Sequence, residues 1–219
     1  MNQKVNLQFF IDKIQNGEPF RFLRFGDGEF WCANGEKKMI GKNEHGVFPA
    51  ITEDIRYILS HLKKEHYNGL QPLSLTIPHL VKWIPEWDWC NADVFHEASI
   101  EGKLQPFFEA LKGKKVVIVS SQKMMKIKPI IDYYDFITVK PQDCYIQKAK
   151  VLKWIEAFPP KTIFLFAASR LSVPAIYHST RDDCTFIDVG SLLDPYIGVS
   201  SRVYHSNMTP EIIKQNTTK

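Results

Sequence analysis

Long apolar runs are missing from this sequence of 219 residues. No stretch approaches the roughly 18 nearly continuous apolar residues of a spanning helix, so no transmembrane segment is expected. The opening MNQKVNLQFFIDKIQNG has no long apolar signal core and reads as an amphipathic helix, which makes a cytoplasmic location the expectation. Asn207-Met208-Thr209 and Asn216-Thr217-Thr218 match the glycosylation pattern, but without a secretory signal they are chance matches. Cysteine is sparse: Cys32, Cys90, Cys144 and Cys184 lie too far apart for a zinc knuckle or a dithiol motif. A reduced intracellular chain is the simpler reading. There is no Gly/Ser-rich linker, internal repeat or low-complexity block, so one domain over 1–219 is expected. The motifs GxSxG, HExxH and GxxxxGK[ST] are absent, which argues against an esterase, a zinc protease and a P-loop ATPase. Charge of one sign is also lacking. The 28 Lys and Arg against 24 Asp and Glu leave +4, enough to favour a phosphate-bearing ligand but too scattered to suggest nucleic acid as a partner.

What is present suits a packed α/β domain. Hydrophobic residues at 44% and aromatics at 13% exclude a disordered chain, a collagen-like rod and a simple coiled coil. Leu7, Phe10, Ile11 and Ile14 recur at helical spacing until Asn16-Gly17. Residues 20–26, FRFLRFG, read as a strand entering a glycine turn. Another helical stripe runs over 53–66, and 73–78 (LSLTIP) reads as a short strand. The Trp83, Trp87 and Trp89 cluster can cover a sugar or a base, although scaffold packing explains it more simply. Residues 95–111 read as helix, 114–121 as strand, 124–134 as helix, and DFITVKP as strand. A helix over 142–158, a strand over 161–169, a helix over 172–179 and a strand over 184–191 complete the chain. Repeated strand-to-helix changes predict a doubly wound, largely parallel sheet covered on both faces, with an irregular central excursion.

In such sheets ligands gather beyond the carboxyl ends of the strands. Four exits carry polar residues here: Arg24 to Glu29, Ser120-Ser121, Ser169-Arg170, and Asp188 to Ser191. Gly26 and Gly28 allow a tight path and close backbone approach. Asp27 and Glu29 can offer oxygens to Mg²⁺ or Mn²⁺, with diphosphate oxygens completing the shell. Equally, the turn can be an acidic one held by backbone N–H groups and Arg24. Arg24 itself can bind phosphate, or pair with Asp27, Glu29 or another acid across the sheet.

RFGDGEF at 24–30 resembles the amino-terminal signature of the GT-D-type glycosyltransferases. Looser likeness runs through Asn91-Ala92-Asp93-Val94-Phe95, KKVVIVSS and FIDVGSLLD. The resemblance implies a Rossmann-like three-layer fold and a nucleotide-sugar donor, with uridine as the first expectation. It also implies a divalent metal bound by an Asp-x-Glu motif, which falls on Asp27 and Glu29, with Arg24 and Gly28 around them. Where the resembled enzymes often carry a glycine-containing loop, this chain has Ala167-Ala168-Ser169-Arg170.

Other candidates have two readings each. Asp188, Asp194 and His205 can orient or deprotonate an acceptor, or anchor loops. Ser120, Ser121 and Ser169 can bind phosphate or ribose, or cap helices. Asn91 can meet a base or sugar, or cap the following helix. Arg170, Arg202 and Lys128 can pair with diphosphate, or form surface ion pairs. The leading expectation is metal-dependent transfer of a sugar from a nucleoside diphosphate to a hydroxyl acceptor, with a glycan as the first expectation. A nucleotide- or glycan-binding module without turnover and a metal-dependent phosphoesterase are the rivals. The sequence leaves the oligomeric state open.

Overall fold

Local chemistry sets the first helix. Asn6 caps α1 (Leu7–Asn16) by accepting from the Phe9 N–H, and Gly17 ends it in the left-handed region at φ 68°. Phe10, Ile11 and Ile14 form its buried face. The computed structural model describes residues 2–36 and 48–218. Its strands are β1 (Arg21–Phe25), β2 (Tyr67–Leu70), β3 (Cys90–Asn91), β4 (Val116–Ser120), β5 (Asp135–Thr138), β6 (Ile163–Ala167) and β7 (Thr185–Asp188). They form one sheet in the order β3-β2-β1-β7-β6-β4-β5. Every neighbouring pair is parallel, as in Phe22 opposite Tyr67, Phe164 opposite Phe186 and Ile118 opposite Leu165.

All the strand exits therefore lie along one edge. One face packs beneath α2 (Asp27–Asn34), α3 (Ala50–Ser60), α7 (Lys148–Ile155) and α8 (Ser172–His178), around Phe30, Ile55, Val151 and Ile176. The other packs beneath α1, α5 (Val94–Ile100) and α6 (Gln105–Leu111), around Phe10, Phe95 and Phe107. This is the expected three-layer α/β arrangement, with strands buried on both faces.

Several elements differ from the sequence reading. The expected strand at 73–78 is a 3₁₀ turn, Pro72–Thr76, opened by a proline and closed by Thr76 donating to the Leu73 carbonyl. The true strand is β2, whose Asn68-Gly69 pair resembles a turn in sequence. Gly69 belongs there because a Cβ would lie 2.8 Å from the Ala92 backbone. The expected helix at 124–134 is only a 3₁₀ turn, Gln122–Ile127, before Pro129. The helix at 142–158 shortens to a 3₁₀ turn, Cys144–Gln147, and α7. The 95–111 helix splits into α5 and α6 around Gly102 at φ 71°. The 53–66 helix runs instead from Ala50 to Ser60. Within the central excursion α4 (Pro78–Val81) precedes β3, and α9 (Pro210–Thr217) ends the fold. Trp89 is buried in the core, and Trp83 and Trp87 pack against it. All four cysteines are buried and unbridged. Among the described residues no helix is long and apolar enough to cross a membrane.

Asp54 ties three helices together. Its carboxylate accepts from His178 at 2.6 Å, Lys148 at 2.5 Å and Tyr145 at 2.8 Å. Burial by itself raises the pKa, but these hydrogen bonds prevail and hold it at about 2. A depressed folded pKa gives stability that is present above the unfolded value near 4 and lost as pH falls through about 2. Asp54→Asn should therefore cost about 2 kcal/mol at pH 7. Urea unfolding at pH 7 and at pH 2.5 checks this: the difference between variant and parent should shrink at the lower pH.

Candidate functional site

The chain leaves β1 and β6 toward one face of the sheet, where α2 and α8 follow. After β7, which lies between them, it turns to the other face, burying Val189, Leu192 and Leu193 there. The chain thus departs to opposite faces on either side of the β7 exit, the switch point at which open α/β sheets bind ligands, called the crevice below. Asp188, the last residue of β7, lies at this exit and is 5% exposed.

Three strand exits meet around Asp188. Arg24 leaves β1 and donates through Nε to the Ala92 carbonyl at 2.7 Å and through Nη2 to Asp93 Oδ1 at 2.8 Å. Its partner is thus an acid across the sheet, beyond β3, rather than Asp27 or Glu29. The Arg24 guanidinium also lies against Gly190, where a Cβ would come 2.1 Å from Nη1. Gly190 stands at φ 52°, a left-handed conformation that glycine adopts without strain. Burial raises the Asp188 pKa to about 7; Arg24 opposes the rise and the Glu29 charge adds to it. The Gly190 N–H donates to Asp188 at 3.0 Å.

GDGE is not a free turn. Gly26 is the N-cap of α2, and both acids occupy its first turn. Glu29 accepts from the Gly26 N–H at 2.9 Å, and Asp27 accepts from the Gly28 N–H at 2.7 Å. The glycines serve space rather than unusual dihedrals: a Cβ on Gly26 would lie 2.7 Å from Gln71 Oε1. At Gly28 the nearest atom would be Arg170 Nη2 at 3.7 Å, an ordinary contact. Burial raises the Glu29 pKa, while the Gly26 N–H and the charge of Arg170 lower it. Asp27 and Glu29 themselves offer carboxylate oxygens, the ligands that Mg²⁺ or Mn²⁺ favours. Among the described residues no group of three or more His, Cys, Asp or Glu side chains is arranged to hold a metal ion. A cation at this pair would take its remaining ligands from diphosphate and water, as Mg²⁺ commonly does.

The other candidates lie at varied distances from this centre. Ser120 is buried and donates its proton to the Ala167 carbonyl at 2.9 Å, so it serves the β4–β6 seam. Ser121 is half-buried at the exit of β4. Ser169 is exposed at φ 49°, so the Ala167–Arg170 segment adopts a glycine-like backbone without a glycine. Asn91 ends β3; it accepts from the Asp93 N–H at 2.8 Å and donates to Glu97 at 2.7 Å. Asp194 is buried, accepts from Ser201 and lies 3.7 Å from Lys123. His205 Nδ1 accepts from the Ser201 N–H at 2.9 Å, and burial lowers the ring's pKa. Arg202 is exposed. Lys128 is turned away from the exits. It donates to the Tyr133 carbonyl at 2.5 Å, and the neighbouring Tyr134 N–H bonds Val116, the first residue of β4.

Sequence reading missed Gln71, Ser172 and His96. Gln71 follows a strand that its Asn-Gly pair disguised. Ser172, which hydrogen-bonds Asp188, is one more serine among many. His96 is buried below the site with neither ring nitrogen hydrogen-bonded, and burial holds it neutral. Clefts of about 330 and 480 Å³ lie at the opposite edge, beside Tyr67, Cys90 and Arg21 at the strand starts.

No protein-family profile matches the chain, and no curated protein matches it. Solved structures do. A glycosyltransferase of domain of unknown function 1792 from Streptococcus sanguinis superposes with a TM-score of 0.69 at 14% identity, over 94% of this chain and 91% of that one. A second structure of domain of unknown function 1792 gives 0.65 at 13%, over 88% and 81%. A third, described as having a distinct glycosyltransferase fold, gives 0.63 at 12%, over 94% and 91%. The chain has the fold of these proteins.

The Arg24–Gly190 contact gives a test. Gly190→Ala adds left-handed strain and drives a methyl group into the guanidinium, and should destabilise by about 1–3 kcal/mol. Arg24→Ala in the same chain should recover part of that loss by vacating the space. Urea unfolding of the two single variants and the double variant measures the coupling; strict additivity would contradict the contact.

Proposed function

We propose that the protein transfers a sugar from a nucleoside diphosphate, with uridine the first choice of base, to a hydroxyl-bearing acceptor such as a glycan. One observation carries the reading: N–H groups at the start of α2 are already taken by the helix's own acids. In many nucleotide-binding α/β folds bare helix N–H groups cradle phosphate. Here Asp27 and Glu29 occupy the N–H groups of Gly28 and Gly26. An anion approaching this end meets carboxylates and needs a positive bridge. A divalent ion held by Asp27 and Glu29 would supply charge neutralisation of the leaving diphosphate. The fold shared with glycosyltransferase structures supports the same reading.

The chain's own groups then divide the remaining work. Arg170, whose Nη2 lies beside Gly28, is directed at the diphosphate. Arg24 is held by Ala92 and Asp93 and sets the charge around Asp188. In transfer, the bond from the anomeric carbon to the diphosphate oxygen breaks and a bond to the acceptor oxygen forms. The acceptor proton passes to Asp188, the most deeply placed carboxylate of the crevice. Asp194 and His205 are less suited because Ser201 engages both.

Calorimetry should find that Mn²⁺ or Mg²⁺ strengthens UDP binding at least tenfold. Glu29→Gln and Asp27→Asn should remove that enhancement while costing no more than about 1 kcal/mol of stability each, since an amide oxygen can still accept from the same N–H group and only the charge at the helix start is lost. Equal UDP affinity with and without metal would refute the bridge. Turnover is then measured with UDP-, GDP- and dTDP-sugars and candidate glycans, using mass spectrometry to find a sugar-sized increase on the acceptor. Asp188→Asn should lower the transfer rate by about 10²-fold or more. Sugar release to water alone would indicate a hydrolase, and binding without any product a recognition module.

A further inference from the structure

We propose that the edge carrying the crevice docks on an anionic lipid bilayer. Nine large hydrophobic residues are exposed among the described residues, and five follow strand exits at this edge. Leu73 and Leu75, 58% and 48% exposed, lie in the 3₁₀ turn after β2. Met125, 43% exposed, lies in the turn after β4, and Ile146, 65% exposed, in the turn after β5. Val203, 93% exposed, opens the 3₁₀ turn Val203–Asn207 in the segment after β7. A single exposed apolar residue needs no explanation. Repetition of the feature on four separate exit segments of one edge does.

Charge on the same segments points to the partner. Their exposed ionic groups include Lys123, Lys126, Lys140 and Arg202. Between the strand ends and the apolar tips the acids are withdrawn, Asp194 being buried and Asp143 half-buried; the exposed Glu86, Asp88 and Asp132 stand farther along these segments, beyond the tips. A rim of apolar tips with basic residues between them matches the interface of an anionic bilayer, where tips enter the headgroup boundary and cations meet phosphate. The tips span five strand spacings, roughly 24 Å. They also flank the crevice on both faces of the sheet, with Cys144 and Met124 anchoring their turns in opposite core clusters. A fluid lipid surface can receive such separated points together. A peptide or a second protein copy would need a continuous groove or patch. Docked in this way, the crevice would face acceptors held at the membrane; that consequence rests on the transferase reading, whereas lipid binding does not.

The full chain should float with phosphatidylglycerol–phosphatidylcholine vesicles at low salt and stay behind with phosphatidylcholine alone. Lys126→Glu should weaken partition by about fivefold or more. Val203→Asp and the double variant Leu73→Ser/Leu75→Ser should each weaken it about tenfold. All these positions are exposed, and UDP binding by the same variants should equal that of the parent. Failure to float with anionic vesicles overturns the proposal. So does binding that Lys126→Glu weakens but the apolar variants leave unchanged, since a nonspecific polyanion surface would behave that way. Light scattering that shows a dimer abolished by Val203→Asp would assign the edge to a second copy instead. Absent UDP binding in the parent would refute the donor-site reading and leave the vesicle result standing.

Discussion

Arg24 is the constraint on which the exit edge depends. It rises from β1, reaches over β2 to the Ala92 carbonyl and Asp93 beyond β3, and rests against Gly190 beyond β7. One side chain thus fixes the relation of three strand exits. A guanidinium suits this task because its donors are planar and permanently charged. Its charge also works against the desolvation that raises Asp188, so the same group that fixes the backbone tunes the acid beneath the crevice. Lysine could keep the charge, but not the paired contacts to a carbonyl and a carboxylate.

The all-parallel order explains why the crevice forms where it does. β7 is the last strand added, yet it lies between β1 and β6. Its neighbours lead into helices on one face, and its own continuation must find room on the other. Separation of the loops there follows from strand order and does not require any special loop sequence. Asp188 stands at that switch point because it is the last residue of that strand.

Much of this was legible in the sequence. The buried strands 116–120, 163–167 and 185–188 are short β-branched and aromatic runs, and their exits were readable as polar breaks after apolar stretches. The Asp27-x-Glu29 pair was equally visible, although its placement on a helix end rather than in a free turn was not. What stayed hidden has physical causes. β2 contains Asn68-Gly69 because β3 passes too close for a side chain, a tertiary demand that overrides the turn propensity of the pair. The 3₁₀ turns after β2, β4 and β5 carry enough apolar residues to mimic strand or helix. In each, some of those residues face outward rather than into a core, and no periodicity in sequence tells the two apart. His96 was invisible because a histidine on a helix face gives no sign of whether its nitrogens will find partners.

Charge placement at α2 sets limits on any ligand of the crevice. Two carboxylates at a helix start are favourable for the helix, since they meet its positive end and its open N–H groups. The same satisfaction removes those groups from service to an anion. Glu29 is then left half-buried near Asp188, with a raised pKa and with Arg170 as its counter-charge. Such a site gains most from a ligand that brings positive charge inward with its phosphates. A ligand without a cation would have to compete with the fold's own carboxylates for the few positive groups present. The local stability of α2 and the demand for a bridging ion therefore come from the same two side chains.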